Sequence, residues 1–192
     1  EQVKQSIEMS LKNLHTTYLD RLVMHSPMNS MQETMLVWRV FESFVAEGKV
    51  RELGISNCYD LETFTAIYDQ ALIKPSALQN RFYADSDFDV NLRQFCKDKN
   101  IMYQSFWTLS GNRSALATAQ IRKLATVKKL TPQTLMYAFM MTIGHTPLSG
   151  TTSDQHMTED VAIMERIQGG EIILDANEVK FMSKILGIPE SS

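Results

Sequence analysis

The stretch Glu47-Gly48-Lys49-Val50-Arg51-Glu52-Leu53-Gly54-Ile55-Ser56-Asn57 contains a short strand-like run, and amphipathic segments precede and follow it in the chain. The segment 31–46 before it repeats apolar side chains at three- and four-residue steps, which predicts a helix that Gly48 ends. The run 50–55 predicts a buried strand, and Asp60 is placed to cap a following helix. A helix, a buried strand and a second helix in this order are typical of a parallel α/β sheet.

The rest of the chain repeats this alternation. Further strands are predicted over 22–24, 77–82, 101–106 and 146–149. Further helices are predicted over 3–14, from 61, over 87–99, over 114–129, from Pro132 and from Asp175, which forms a capping box with Glu178. The fold class is therefore α/β with about five parallel strands, and residues 1–192 are expected to form one domain.

Composition and charge exclude several classes of protein. The 192 residues are 44% hydrophobic and 21% charged, which are ordinary values for a globular chain. A net charge of −3 offers no basic face for nucleic acid, and no apolar run approaches the roughly 20 residues that cross a bilayer. Cys58 and Cys96 lack the spacing of a zinc site or a disulfide framework, so we expect no metal site and a cytoplasmic location.

Polar and aromatic side chains cluster where the predicted strands end. In a parallel sheet the carboxyl ends of the strands lie at the same edge, and ligands bind there. The sequence therefore predicts a site at this edge, built from His25 after the first strand, Ser56 and Asn57 after the second, Gln79 in the third and Phe106 at the end of the fourth.

Each of these residues also has a structural interpretation. His25 could be a hydrogen-bonded structural histidine, and 56–57 could cap the next turn. The pair Phe106-Trp107 could belong to the core or form a flat stacking surface. Gln79 is more informative, because a buried amide without partners costs about 1–3 kcal/mol and should therefore be placed to bind something.

Five stretches together resemble the aldo-keto reductase family. They are YLDRLVMHSP at 18–27, EGKVRELGISN at 47–57, YQSFWTL at 103–109, TPQ at 131–133 and PLSGTT at 147–152. The resemblance covers nearly the whole chain, and the fourth strand is closest to fungal members. It implies a (β/α)₈ barrel that transfers hydride from NADPH or NADH to a small-molecule carbonyl. This chain would be a partial barrel corresponding to units 4–8.

The resemblance also implies roles at the nicotinamide end of the cofactor. His25 matches the histidine that orients the substrate carbonyl, which makes it the candidate catalytic residue. Ser56, Asn57 and Gln79 match the residues that hold the nicotinamide carboxamide, and Phe106 matches the aromatic residue on which the nicotinamide ring stacks.

Other residues match the rest of the dinucleotide site. Leu109 and Ser110 fall in the loop that covers the pyrophosphate, and the segment 149–160, with Thr151, His156 and Asp160, matches the adenosine site. NADPH-using members carry a lysine and an arginine against the 2′-phosphate, where this chain has Gly150 and His156. The 2′-phosphate site is therefore weakened, and the cofactor is expected to be NADP or NAD, or to be absent.

The family's proton donor is expected to lie outside this chain. In the family, an aspartate, a tyrosine and a lysine come from three earlier βα units, which this sequence lacks. Losing a positioned acid typically costs on the order of 10² to 10⁴ in rate. The first hypothesis is therefore a carbonyl reductase in which an upstream segment or a partner supplies these residues.

Two alternatives stay open at this stage. One is a truncated, cofactor-independent isomerase or cyclase that uses His25 and the pocket at the sheet edge. The other is a non-catalytic subunit that binds a partner. Five strands that do not close leave unpaired edges, so we also expect a homo-oligomer or a partner protein to cover them.

Overall fold

A computed structural model describes residues 1–189 of the chain. The helices are α1 (Gln2–Asn13), α2 (Met31–Ala46), α3 (Leu61–Gln70), α4 (Val90–Asp98), α5 (Arg113–Leu116), α6 (Ala119–Lys128), α7 (Pro132–Thr142), α8 (Asp154–Gln168) and α9 (Ala176–Leu186). The strands are β1 (Leu19–Met24), β2 (Val50–Ser56), β3 (Ala77–Arg81), β4 (Met102–Phe106) and β5 (Thr146–Pro147). Short 3₁₀ segments cover Ala84–Asp89 and Ser110–Asn112.

The strands follow the order β1-β2-β3-β4-β5 in one sheet. The pairs β1–β2, β2–β3 and β4–β5 are parallel, with Met24 opposite Ile55 and Ser56 opposite Gln79. The predicted α/β class with five parallel strands is confirmed. None of the helices within residues 1–189 has the length and apolar character that a membrane crossing requires.

The chain divides into two compact units. One contains residues 1–80 and 95–102, and the other contains residues 81–94 and, within the described part of the chain, residues 103–189. We refer to them as the first and second units and describe each by itself. The expectation of a single partial-barrel domain over residues 1–192 stays a prediction.

The first unit is built around α2 and the buried strand β2. Ser30 caps α2 by accepting a hydrogen bond from the Glu33 amide, and the helix buries Trp38 completely. The Trp38 indole donates to the Ile73 carbonyl at 3.1 Å. Gly54 lets β2 approach β3 closely, because a Cβ at this position would lie 3.1 Å from the Ala77 carbonyl oxygen.

The second unit packs around α7. Thr131 caps this helix, Pro132 occupies its first turn, and all seven residues from Thr134 to Met140 are buried. The predicted capping box of Asp175 and Glu178 is present at the start of α9. A helix buried all round needs partners on every side, and α7 contacts α6, α8, α9 and β5.

Two predicted helices begin or break differently in the structure. The helix predicted over 87–99 begins only at Val90, because Asp87, Phe88 and Asp89 all have positive φ angles of 47° to 52°. Burial of the Phe88 ring against Phe82 and a hydrogen bond from Tyr103 to Asp89 accompany this backbone. These tertiary contacts oppose local helix propensity.

The helix predicted over 114–129 is two helices, α5 and α6. Thr118 separates them, because its hydroxyl donates to the Ala115 carbonyl and accepts from the Ile121 amide, which starts α6. The strand predicted over 146–149 is limited to Thr146–Pro147. Helix α8 was not predicted, although Met157, Val161 and Met164 recur at helical spacing; Ile163 is the one buried residue among its described positions.

Candidate functional site

The first unit brings four predicted site residues together at the ends of β1, β2 and β3. The Ser56 hydroxyl donates to the Gln79 carbonyl at 2.7 Å. The Asn57 side-chain amide donates to the His25 carbonyl at 2.8 Å, and its nitrogen lies 3.2 Å from the Ser56 hydroxyl. The predicted clustering of these residues at one sheet edge therefore holds within this unit.

These residues differ in how far their side chains are exposed to solvent. The His25 imidazole is exposed, whereas Ser56 is buried. Asn57 has a φ of 51°, a left-handed conformation that asparagine tolerates, and its side-chain oxygen accepts from the Tyr59 hydroxyl at 3.2 Å. The Asn57 side chain thus ties the ends of β1 and β2 together.

The buried amide in β3 belongs to Asn80, whereas the sequence predicted it at Gln79. Gln79 is half-buried, whereas Asn80 is fully buried. Asn80 accepts from the Cys58 amide at 3.1 Å and donates to the Cys58 carbonyl at 2.8 Å. The cost of burying this amide is therefore met inside the protein, and burial gives no reason to expect a ligand on Gln79.

The second unit contains a cavity of about 580 Å³ beyond the ends of β4 and β5. Six predicted cofactor-binding residues line it, namely Phe106, Leu109, Ser110, Thr151, His156 and Asp160. Its other lining residues are Trp107, Thr108, Thr131, Gln133, Thr134, Tyr137, Leu148, Ser149, Gly150 and Glu159. We call this space the β4–β5 cavity.

Acidic and neutral polar groups dominate the polar part of the β4–β5 cavity. Lysine and arginine are both missing from the described residues that line it, while Glu159 and Asp160 contribute carboxylates. The Ser149 hydroxyl donates to the Asp160 carboxylate at 2.7 Å, which fixes the position of that carboxylate. His156 lies in the first turn of α8, where its amide donates to the Ser153 hydroxyl that caps the helix.

Tyr137 is a lining residue that sequence reasoning missed. Burial raises the pKa of the Tyr137 hydroxyl, nearby Asp160 raises it further, and a hydrogen bond with Ser149 partly opposes them. The phenol therefore remains protonated at neutral pH and acts as a hydrogen-bond donor or acceptor in the cavity wall. The sequence shows a tyrosine within the apolar run of α7, but it does not show on which side of the helix the hydroxyl lies.

A second polar cluster, also missed, lies in the core of the second unit. The Arg93 guanidinium is 3.4 Å from Nε2 of the buried His145, and the Tyr103 ring centroid is 4.7 Å from that of His145. Burial, and then the positive charge of Arg93, lower the pKa of His145 to about 3. His145 is therefore neutral at physiological pH.

Comparison with known proteins supports a family assignment. Residues 1–169 match the Aldo/keto reductase family. The chain is 20% identical over 181 residues to Aldo-keto reductase family 4 member C11 of Arabidopsis thaliana, covering 84% of this chain and 57% of that protein. It is 25% identical over 114 residues to the NAD/NADP-dependent indole-3-acetaldehyde reductase of Schizosaccharomyces pombe, covering 57% of this chain and 40% of that one.

Solved structures agree on the fold. The crystal structure of an aldo/keto reductase from Klebsiella pneumoniae in complex with NADP and acetate has a TM-score of 0.80 at 22% identity. The similarity covers 98% of this chain and 66% of that one, which is consistent with an incomplete barrel. The chain spans roughly half the length of the two curated relatives.

The comparisons lend no support to the isomerase or cyclase alternative, or to the non-catalytic subunit. The expected family resemblance is confirmed, because the match extends over most of the sequence and includes every strand. This chain belongs to the aldo/keto reductase family.

Proposed function

We propose that this chain binds a nicotinamide dinucleotide in the β4–β5 cavity and takes part in reduction of a small-molecule carbonyl. The observation that carries the proposal is the grouping of six expected cofactor residues around one cavity of about 580 Å³. The Klebsiella pneumoniae aldo/keto reductase, which was crystallised in complex with NADP, supports the same class of ligand. When bound, such a dinucleotide supplies hydride.

The lining of the cavity fits most of a dinucleotide. Phe106 offers an aromatic surface for a planar ring, and the hydroxyls of Ser110 and Thr151 offer hydrogen bonds to polar groups. The Asp160 carboxylate, which Ser149 holds in place, is suited to accept hydrogen bonds from ribose hydroxyls.

The same lining does not fit the additional phosphate of NADPH. A 2′-phosphate near Glu159 and Asp160 would meet like charge, and the described residues of the wall include no guanidinium to receive it. We therefore propose that NADH is bound in preference to NADPH. The NAD/NADP-dependent indole-3-acetaldehyde reductase of Schizosaccharomyces pombe, a relative of this chain, is described as using either nucleotide.

The residues of the first unit are proposed to act on the carbonyl and the nicotinamide. His25, with its exposed imidazole, orients the carbonyl oxygen, and Ser56, Asn57 and Gln79 hold the carboxamide. The reduced product also needs a proton, because an alkoxide forms when hydride is transferred. We propose that an upstream segment or a partner chain supplies this donor.

The expectations about a partner, the cellular location and the origin of the chain are also proposals. A homo-oligomer or a partner protein would cover the outer edges of the sheet at β1 and β5. A cytoplasmic location is proposed from the sequence, because Cys58 and Cys96 lack the spacing of a disulfide framework. A fungal origin is proposed because the amino-acid sequence of the fourth strand is closest to that of fungal members of the family.

Titration of the chain with NADH and NADPH tests the cofactor proposal. We expect isothermal calorimetry to give an NADH affinity at least about tenfold higher than that for NADPH, because the second phosphate is not neutralised. The His156→Arg variant should raise NADPH affinity about tenfold and leave NADH affinity nearly unchanged. Gln120→Arg, which adds the same charge at an exposed position in α6 away from the cavity, is the matched control.

Two outcomes would count against these proposals. If neither nucleotide bound at millimolar concentration, the proposal that this chain binds a dinucleotide would be wrong. If both nucleotides bound equally, or if Gln120→Arg improved NADPH binding as much as His156→Arg, the proposed preference for NADH would be wrong.

A further inference from the structure

A second cavity in the second unit, of about 460 Å³, adjoins the β4–β5 cavity. Residues between the end of β4 and the start of α7 line it, and we call it the α5–α7 cavity. It shares Leu109, Ser110 and Gln133 with the β4–β5 cavity. Two further lining residues are Arg113 and Arg122, whereas the β4–β5 cavity has carboxylates in its wall. The two guanidinium groups and those carboxylates therefore line different cavities.

Neither of these guanidinium groups has a carboxylate partner within residues 1–189. Ion pairs with carboxylates are instead formed by Arg21, Arg39, Arg51 and Arg166. The sequence gives the reason, because residues 99–153 contain four lysines and two arginines but no aspartate or glutamate, in a chain whose net charge is −3. The positive charge at the α5–α7 cavity is therefore available to an anion.

The backbone that carries Arg113 is fixed by the residue before it. Asn112 is 5% exposed, and its side-chain nitrogen donates to the Phe82 carbonyl at 2.8 Å and to the Thr108 carbonyl at 2.9 Å. The Ala117 amide then donates to the Arg113 carbonyl at 3.0 Å, which closes the turn of α5. Arg113 therefore extends from a segment that is held on both sides.

The first turns of α6 and α7 place further positive charge at this cavity. Thr118 caps α6 by accepting from the Ile121 amide, and the side chain of Ile121 is buried, which anchors the turn that carries the exposed Arg122. Helix α7 begins at Pro132, so the Gln133 amide is among the first-turn amides that have no acceptor within the helix. The positive end of the α7 dipole adds to the potential of the two arginines.

Apolar side chains form much of the remaining wall of the α5–α7 cavity. Leu116 is buried, and Leu109, Ala117 and Pro132 line the same space. A guanidinium group binds a carboxylate or phosphate through two parallel hydrogen bonds, whereas an apolar wall stabilises hydrocarbon that leaves water. An extended polyanion would need cations along its whole length. The combination of two cations with an apolar wall suits a small amphipathic anion.

We propose that the α5–α7 cavity is a binding site for a small organic anion. Arg113 and Arg122 hold its phosphate or carboxylate group, and the apolar wall contacts its hydrocarbon body. This site goes beyond the proposed function, because it requires no dinucleotide in the β4–β5 cavity. Since the backbone on both sides of the site is already fixed, binding mainly has to order the two arginine side chains.

Calorimetric titration of the chain with simple probes tests this site. In a buffer free of phosphate and sulfate, we expect phenyl phosphate to bind about tenfold more tightly than inorganic phosphate, because the ring is buried against the apolar wall. Phenol, which lacks the anionic group, should bind at least about tenfold more weakly than phenyl phosphate. Comparison of phenyl phosphate with benzoate identifies which anionic group the arginines prefer. Inorganic phosphate or phenol binding as tightly as phenyl phosphate would contradict an amphipathic ligand.

Replacing the arginines tests their roles. Arg113→Gln and Arg122→Gln should each weaken phenyl phosphate binding about five- to tenfold, and Arg122→Lys, which keeps the charge but loses the fork, about threefold. Lys123→Gln removes the same charge from an exposed residue of α6 outside the cavity and is the matched control, with an expected change of less than about twofold. Circular dichroism establishes that each variant is folded. An equal loss of affinity in Lys123→Gln would reduce the effect to general charge and overturn the site.

Two measurements distinguish this site from the proposed dinucleotide site. Phenyl phosphate should shift the amide NMR signals of residues 110–117 in the wild-type chain and leave them unchanged in the variant that carries both glutamine substitutions. Saturating NADH should change the affinity for phenyl phosphate by less than about threefold. If NADH prevented phenyl phosphate from binding, the two arginines would belong to the dinucleotide site and a separate anion site would be wrong. If NADH did not bind at all while phenyl phosphate did, the proposed function would be wrong and this inference would stand.

Discussion

Acidification from pH 7 to pH 4 is expected to lower the free energy of unfolding by about 3 kcal/mol more in the wild-type chain than in His145→Gln. His145 is buried beside Arg93, and burial together with that positive charge lowers its pKa to about 3. In the unfolded chain the imidazole has a pKa of about 6.5. Between these two values the unfolded state binds a proton that the folded state does not.

The sign of the effect follows from this difference. Above about pH 6.5 the histidine is neutral in both states and contributes no pH dependence. As the pH falls from there towards 3, stability decreases by about 1.4 kcal/mol per unit, because protonation favours the unfolded state. Glutamine cannot be protonated in this range, so the variant lacks this contribution. The other groups of the cluster, Asp89 on the Tyr103 hydroxyl and Arg93 itself, are present in both proteins.

Urea unfolding at pH 7, 5.5 and 4 measures this difference. His15→Gln removes an exposed histidine and is the matched control, which should follow the wild-type pH dependence. Because His145 directly precedes β5, its protonation is also expected to loosen the chain that leads to Ser149 in the β4–β5 cavity. Parallel pH profiles for wild type and His145→Gln would contradict the assignment of a depressed pKa to this residue.

Replacing Asn80 by alanine is expected to lower the free energy of unfolding by about 2–6 kcal/mol. Asn80 is fully buried, and its side chain makes one hydrogen bond to the amide and one to the carbonyl of Cys58. Removing both bonds in a site that water does not reach costs about 1–3 kcal/mol for each backbone group affected. Asn57 directly precedes Cys58, so the end of β2 should also become less ordered.

Chemical denaturation of Asn80→Ala at neutral pH measures this loss. Asn91→Ala, which changes an exposed asparagine in α4, is the matched control and should alter stability by less than about 0.5 kcal/mol. Amide hydrogen exchange of residues 56–60 provides a second readout, because faster exchange there is expected only if Asn80 holds this segment. Equal stabilities of the two variants would show that the contacts of Asn80 contribute little.

The periodicity of apolar residues predicted most of the elements. Helix α2 has the predicted bounds, and the predicted caps at Asp60 and Asp175 are both present. These features are recoverable because helix faces and caps depend on residues a few positions apart. The break at 87–89 could not be predicted in this way, since the buried ring of Phe88 and the bond from Tyr103 to Asp89 involve distant partners.

The residues of the candidate site were likewise predicted only in part. Phe106, Leu109 and Asp160 were predicted as cofactor residues, and all three line the β4–β5 cavity. Their proposed roles come from resemblance to the aldo/keto reductase family. Tyr137 was missed because a tyrosine in an apolar helix gives no sign of the side on which its hydroxyl lies. His145 was missed because neither its burial nor its neighbour Arg93 is visible from position in the sequence.

The amino-acid sequence by itself determined the alternation of helices and parallel strands, the family and the edge of the sheet at which polar residues collect. Tertiary structure decided which of those polar residues are buried and what they contact. It assigned the buried amide to Asn80 rather than Gln79, and it placed Trp107 in a left-handed conformation between Arg81 and Tyr83. The physical reason is that periodicity is a local property, whereas burial and charge environment arise from groups that lie far apart along the chain.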